Sequence, residues 1–150
     1  MNSSDRLLLA VDRDGARQLF GCRQSGQWDV VIDRLLEESQ NRPGSRCLLD
    51  PTASALRRLL TAAPPLDASL PDSTPLATTD RRSIYLVRPD LVARLAEAWQ
   101  TLDVAELLKG GVVADDKVAA ERLAELKRFY QQAAGDGCAV ICLASVSEVN

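Results

Sequence analysis

Residues 115–146, DDKVAAERLAELKRFYQQAAGDGCAVICLASV, decide the fold. Asp115 and Asp116 place carboxylates where a helix begins, capping its first N–H groups and complementing the positive end of its dipole. From there Ala119, Leu123, Leu126, Phe129, Tyr130 and Ala133 recur at three- and four-residue spacing, which gathers them on one side of a helix running to about Ala134. Lys117, Glu121, Glu125, Lys127 and Gln131 fall on the other side, facing water. Gly135-Asp136-Gly137 stops the helix, because glycine adopts the positive φ of a helix end without a steric cost. The apolar run from Cys138 to Val146 then reads as a central strand, too short to cross a membrane, with the helix packed across its sheet.

Upstream, Leu7-Leu-Leu-Ala-Val11 reads as a second buried strand that stops at Asp12-Arg-Asp-Gly15. A short helix follows to Phe20, with Gly21 ending it and residues 24–27 connecting. Trp28, Val31, Ile32, Leu35 and Leu36 then predict an amphipathic helix whose outer face carries Asp29, Asp33, Glu37 and Glu38. After a loop at 39–45, Asp50-Pro51 is an N-cap followed by proline at the first helical position, and Ala55, Leu56, Leu59 and Leu60 continue that helix. Residues 62–80 hold Pro64, Pro65, Pro71 and Pro75 with no sustained period, a loop that either packs on the domain or binds. Ser83–Val87 is a further strand, Arg88-Pro89-Asp90 opens a helix through Leu102, and Asp103 caps a shorter one to Lys109. The expected whole is one α+β domain over residues 1–150, a small and mostly antiparallel sheet packed by several helices.

Composition narrows the chemistry. The chain has 150 residues, no histidine, and a formal charge of −3, so histidine-dependent triads and zinc sites are excluded. Its Lys/Arg blocks are pairs at most, Arg57-Arg58 and Arg81-Arg82, which argues against nucleic acid or an anionic membrane as the main partner. Those pairs could grip a phosphate or carboxylate in a small-molecule sensor. The four cysteines, Cys22, Cys47, Cys138 and Cys142, lack metal spacing. The last two sit roughly 13 Å apart along one strand face, too far to bridge each other. Free thiols and the lack of a signal-peptide pattern suit the cytoplasm.

One catalytic pattern competes. A hydrophobic strand ending in Asp12-Arg-Asp14-Gly15 is similar to the first motif of haloacid-dehalogenase-type phosphatases, in which the first Asp is the nucleophile, the second an acid/base, and both help hold magnesium. Asp115 and Asp116 vaguely resemble the final acidic motif of those enzymes. Against it, Arg88-Pro89 stands where that family places Ser or Thr, Ala16 stands where it places Thr, and the strand-helix alternation of a doubly wound sheet is missing.

Three stretches together resemble the YfbM-like bacterial family, domain of unknown function 1877. They are DPTASALRRLLT at 50–61 after an acidic helix and loop, Tyr85-Leu-Val-Arg-Pro-Asp-Leu-Val92, and Leu126-Lys-Arg-Phe129-Tyr130-Gln-Gln-Ala133-Ala134 before a glycine turn and apolar strand. The resemblance spans most of residues 28–143 and implies a small intracellular α+β domain with no catalytic residues to carry over. By analogy of type, small acidic bacterial proteins of this kind suit a role as immunity proteins that bind a cognate toxin. The resulting expectation is a non-enzymatic cytoplasmic binding protein without cofactor or metal. Glu37, Glu38, Asp67, Asp72 and Asp80 are its expected contacts to a basic toxin surface. The alternatives are a magnesium-dependent phosphatase using Asp12 and Asp14, and the sensor.

Overall fold

Leu7, Leu8 and Leu9 are all buried, although successive strand residues point to opposite faces, so the first strand needs cover on both sides. The computed structural model describes residues 6–42, 44–49, 53–61, 63–71, 74–103, 106–107 and 116–145 and supplies that cover in three layers. Five strands form one sheet in the order β2-β1-β5-β4-β3, with β1 Arg6–Val11, β2 Arg46–Leu49, β3 Ala77–Thr78, β4 Arg82–Val87 and β5 Ala139–Ser145. All four pairings are antiparallel, and β5 lies centrally between β1 and β4. The α+β class, the antiparallel sheet and the central C-terminal strand are those expected.

On one face lie α1 Arg13–Ser25 and α2 Trp28–Ser39, whose Leu19, Ile32 and Leu35 pack on Leu7, Leu9, Ile84, Ile141 and Leu143. On the other face lie α3 Ala53–Thr61, α4 Pro89–Thr101 and α5 Asp116–Gly135. Leu56, Leu60, Leu95, Trp99, Leu123, Leu126 and Tyr130 meet Leu8, Val140 and Cys142 there. Each fully buried aliphatic side chain contributes about 1.5–3 kcal/mol, so the two clusters hold the layers together without staples. Gly137, at φ +69°, turns the chain from α5 into β5, as the glycine pattern implies.

Several boundaries differ from expectation. α1 does not end at Gly21 but runs to Ser25 and stops at Gly26, whose N–H donates to the Cys22 carbonyl at 2.8 Å with φ +71°. The apolar stripe of Leu19 and Cys22 carries the helix through Gly21, outweighing the roughly 1 kcal/mol that an interior glycine costs. Arg46–Leu49 forms an edge strand that the sequence hides, because four residues alternating exposed and buried leave too short a pattern to stand out. Within 62–80 the described residues pack on the domain: a 3-10 turn, Leu66–Ser69, buries Leu66, and Ala77–Thr78 adds a short strand to β4. Asp116 opens α5, whereas Asp115, the Asp50-Pro51 cap and most of the helix expected at 104–109 lie outside the described residues. Asp103 does cap, accepting the Glu106 N–H at 3.3 Å.

Candidate functional site

The acidic candidates divide between layers. Glu37 and Glu38 are exposed at the C-terminal end of α2, on one face of the sheet. Asp67 is exposed on the 3-10 turn, whose neighbours Leu66 and Leu70 belong to the opposite cluster. Asp80 is exposed in the β3–β4 turn, beside the N-terminal end of α2, where Thr79 donates to Asp29 at 3.1 Å. Asp72 lies outside the described residues. Nine residues of helix separate Asp29 from Glu38, about 13 Å along the axis, so Asp80 shares the α2 side with the two glutamates and Asp67 does not. None of Glu37, Glu38, Asp67 and Asp80 makes an ion pair with a described residue. In α2 the last turn also lacks a basic residue, so Glu37 and Glu38 sit at the negative end of the helix dipole without a neighbouring cation of their own turn.

The other carboxylates of α2 have a structural task. Asp33 accepts from Arg81 Nη1 at 2.9 Å and Arg82 Nη2 at 3.0 Å, while Arg82 Nε lies 3.4 Å from Asp29. The hydrogen bond from Arg81, reinforced by Arg82 against a smaller opposing effect of burial, holds the Asp33 carboxyl below the usual carboxylate range. Arg82 is 8% exposed, and its Nη1 finds no hydrogen-bond partner among the described residues. Arg81 and Arg82 therefore latch α2 to β4 and are not presented together to a ligand. Arg57 donates to the Leu70 carbonyl at 3.2 Å, tying α3 to the segment after the 3-10 turn, while Arg58 is exposed.

Asp12 caps α1, with Oδ1 accepting the Gly15 N–H at 2.8 Å, and its Oδ2 lies 3.4 Å from Arg42. Asp14 is exposed in the first turn of α1. Asp12 at the end of a strand is thus explained by capping, and the antiparallel sheet around it is not a doubly wound one. Among the described residues no group of three or more His, Cys, Asp or Glu side chains gathers to hold a metal ion. None of the four cysteines is in a disulfide, all are buried, and burial pushes the Cys47 thiol up to about 12. Trp99 Nε1 donates to Ser69 Oγ at 3.0 Å, and the Tyr130 hydroxyl donates to the Ser69 carbonyl at 2.7 Å. Tyr130 and Trp99 are core groups whose polar ends are satisfied by the 3-10 turn.

Sequence reasoning passed over two features. Val30 is 64% exposed on α2, seven residues before Glu37 and therefore on the same outer stripe. Arg13, Arg17 and Arg88 come together from α1 and the start of α4 around one open groove. No local spacing announces that meeting, since Arg17 and Arg88 are 71 positions apart in the chain (88 − 17).

Comparison with known proteins gives a likeness of fold. No protein-family model matches the chain, and no curated protein matches it. Among solved structures, the chain is similar to YfbM from Escherichia coli, a protein described as being of unknown function. The match has a TM-score of 0.60 and 16% sequence identity, and it covers 95% of this chain and 99% of that one. No helix among the described residues is long and apolar enough to cross a membrane. The chain has a YfbM-like α+β fold.

Proposed function

We propose that this chain is a non-enzymatic binding protein of the YfbM-like family, working in the cytoplasm as an immunity protein that neutralises a toxin by direct contact. The observation that carries the reading is the pair Glu37 and Glu38. Carboxylates in the last turn of a helix cost about 0.3–1 kcal/mol each in the dipole field, and these two have no ion pair with a described residue to offset it. A surface that keeps unfavourable charge is explained by a partner that supplies the opposite sign. Val30, exposed on the same stripe, adds an apolar anchor of the kind that lies at the centre of an interface. A standard interface buries about 800 Å² per partner, a disc of roughly 16 Å radius, so Asp80 at the other end of α2 falls within its reach. Asp67, on the opposite layer, does not join that patch. A toxin directed at nucleic acid or nucleotides carries the basic surface that this one complements.

The test is capture of the tagged protein from its native bacterium, with the product of a neighbouring open reading frame as control bait, followed by charge reversal at Glu37, Glu38 and Asp80. A stoichiometric partner whose toxic activity is blocked by the wild-type chain, and at least tenfold less well by the reversed one, is the expected result. Unchanged affinity after charge reversal would remove this surface from the interface. Magnesium-dependent phosphate release abolished by Asp12→Asn, with no partner captured, would replace the reading with a phosphatase.

A further inference from the structure

β1 and β4 both pair antiparallel with β5, so they run in the same direction and end at the same edge of the molecule, on either side of the start of β5. α1 leaves from the end of β1 on one face and α4 from the end of β4 on the other. Between them lies an open groove of about 460 Å³. Its floor is apolar, formed by Val11, Ala16, Leu86, Pro89 and Ala139, and Phe20 stands at its side 45% exposed. Arg13, Arg17 and Arg88 line the same groove and are exposed, and none makes an ion pair with a described residue. Asp12 and Asp90 also line it, but each has its own cation: Asp12 lies 3.4 Å from Arg42, and Asp90 lies 3.7 Å from Arg94. The local balance therefore leaves three guanidinium groups unanswered above an apolar floor. The helix N-termini at this edge are already answered by Asp12 and Asp90, so the positive charge offered to a ligand is that of the guanidinium groups.

We propose that this groove binds a small amphipathic organic anion, one carboxylate or phosphate group carried on an apolar body. Charge and shape both select that class. Guanidinium groups pair a planar or tetrahedral oxyanion by two parallel hydrogen bonds. Exposed arginines alone bind weakly in water, and the apolar floor supplies the remaining affinity by removing the ligand body from solvent. A neutral apolar molecule would leave the arginines unused, and inorganic phosphate would leave the floor wet. The site is separate from the outer stripe of α2 and does not depend on the immunity reading.

The experiment is a titration of the full chain with 4-phenylbutyrate, 4-phenylbutanol and inorganic phosphate, followed by backbone amide NMR. Phenylbutyrate is expected to saturate and to move the amides of Ala16, Asp90 and Gly137, with the alcohol and the phosphate each about tenfold weaker or worse, the loss of one charge-assisted pair or of the buried body. Arg17→Glu combined with Arg88→Glu should weaken phenylbutyrate by at least about tenfold while leaving the alcohol unchanged. Should the double variant disturb the whole spectrum, Arg17→Gln with an intact spectrum provides the same comparison. Equal binding of acid and alcohol, shifts confined to other surfaces, or no saturation by about 10 mM would each overturn the proposal.

Discussion

Arg82 gives a prediction whose sign is counter-intuitive. Its side chain is 10% exposed, against 27% for Asp29 and 49% for Asp33, the two carboxylates that hold it. Removing the carboxylates strands a charge in the interior, whereas removing the arginine leaves carboxylates that can reach water. Breaking a buried pair by deleting one partner costs about 3–5 kcal/mol when the remaining charge stays buried. Asp29→Asn with Asp33→Asn is therefore expected to cost about 3 kcal/mol, the low end because Asp33 is half exposed. Arg82→Met should cost about 1 kcal/mol or less, because it also removes the Nη1 donor that has no partner. Adding Arg82→Met to the double Asn variant should recover most of the loss. Urea unfolding followed by tryptophan fluorescence reads the difference. With a slope of about 2 kcal/mol per molar, the double Asn variant shifts the midpoint by about 1.5 M and Arg82→Met by about 0.5 M or less. A larger loss for Arg82→Met than for the double Asn variant would refute the argument. The acid limb is a second check. A depressed carboxyl such as Asp33 stabilises the fold above its unfolded value of about 3.9, and that contribution is lost as pH falls through its lowered folded value. The double Asn variant should lack that limb.

Three further outcomes follow from groups already placed. Burial raises the Cys47 thiol from 9.0 to about 12, and a raised folded value stabilises fully below the unfolded one and is lost as pH climbs toward the folded one. Denaturant unfolding should therefore show a loss of about 2 kcal/mol between about pH 8 and about pH 10.5 that Cys47→Val abolishes; an unchanged alkaline slope in the variant would contradict this. Ser69→Ala leaves the fully buried Trp99 indole N–H without its acceptor and should cost about 1–3 kcal/mol in urea, much less when Trp99→Phe is already present. Glu37→Lys with Glu38→Lys should raise the melting temperature, by an amount matching at least about 0.6–2 kcal/mol, while weakening partner capture; a fall in melting temperature would show that the two glutamates are stabilising where they stand.

The features legible in the sequence are those whose signal is local and repeated. The period from Ala119 to Ala133, the glycines at 135 and 137, and the continuous apolar run of β5 each carry their own warrant, and the layer they define is the observed one. β2 is hidden because four residues at a sheet edge, two exposed and two buried, give too short an alternation to distinguish a strand from a loop. The end of α1 was misplaced because a mid-helix Gly21 and a terminal Gly26 look alike until tertiary packing of Leu19 and Cys22 decides between them. The latch of Arg81 and Arg82 on Asp33 joins residues 48 and 49 positions apart, and only the fold brings such groups together. The groove arginines were invisible for the same reason.

Natural sequences are locally consistent with their folds, and departures mark places where something other than stability has been selected. Most local choices in this chain agree with its structure. Asp12 caps α1, Pro89 occupies the first turn of α4, Gly26 and Gly137 adopt positive φ, and Asp29 lies in the first turn of α2 where the dipole favours it. Glu37 and Glu38 break the rule at the other end of that same helix, and Val30 leaves an apolar side chain in water between the two ends. Each departure alone is small. Their arrangement along one stripe of one exposed helix, with the partly exposed carboxylates Asp29 and Asp33 already committed to Arg82, separates the charges that build the fold from those left to act outside it. This division predicts that the partner's cations answer Glu37 and Glu38 and leave the Arg82 latch intact, so variants of the latch should alter stability without altering the affinity of the folded fraction.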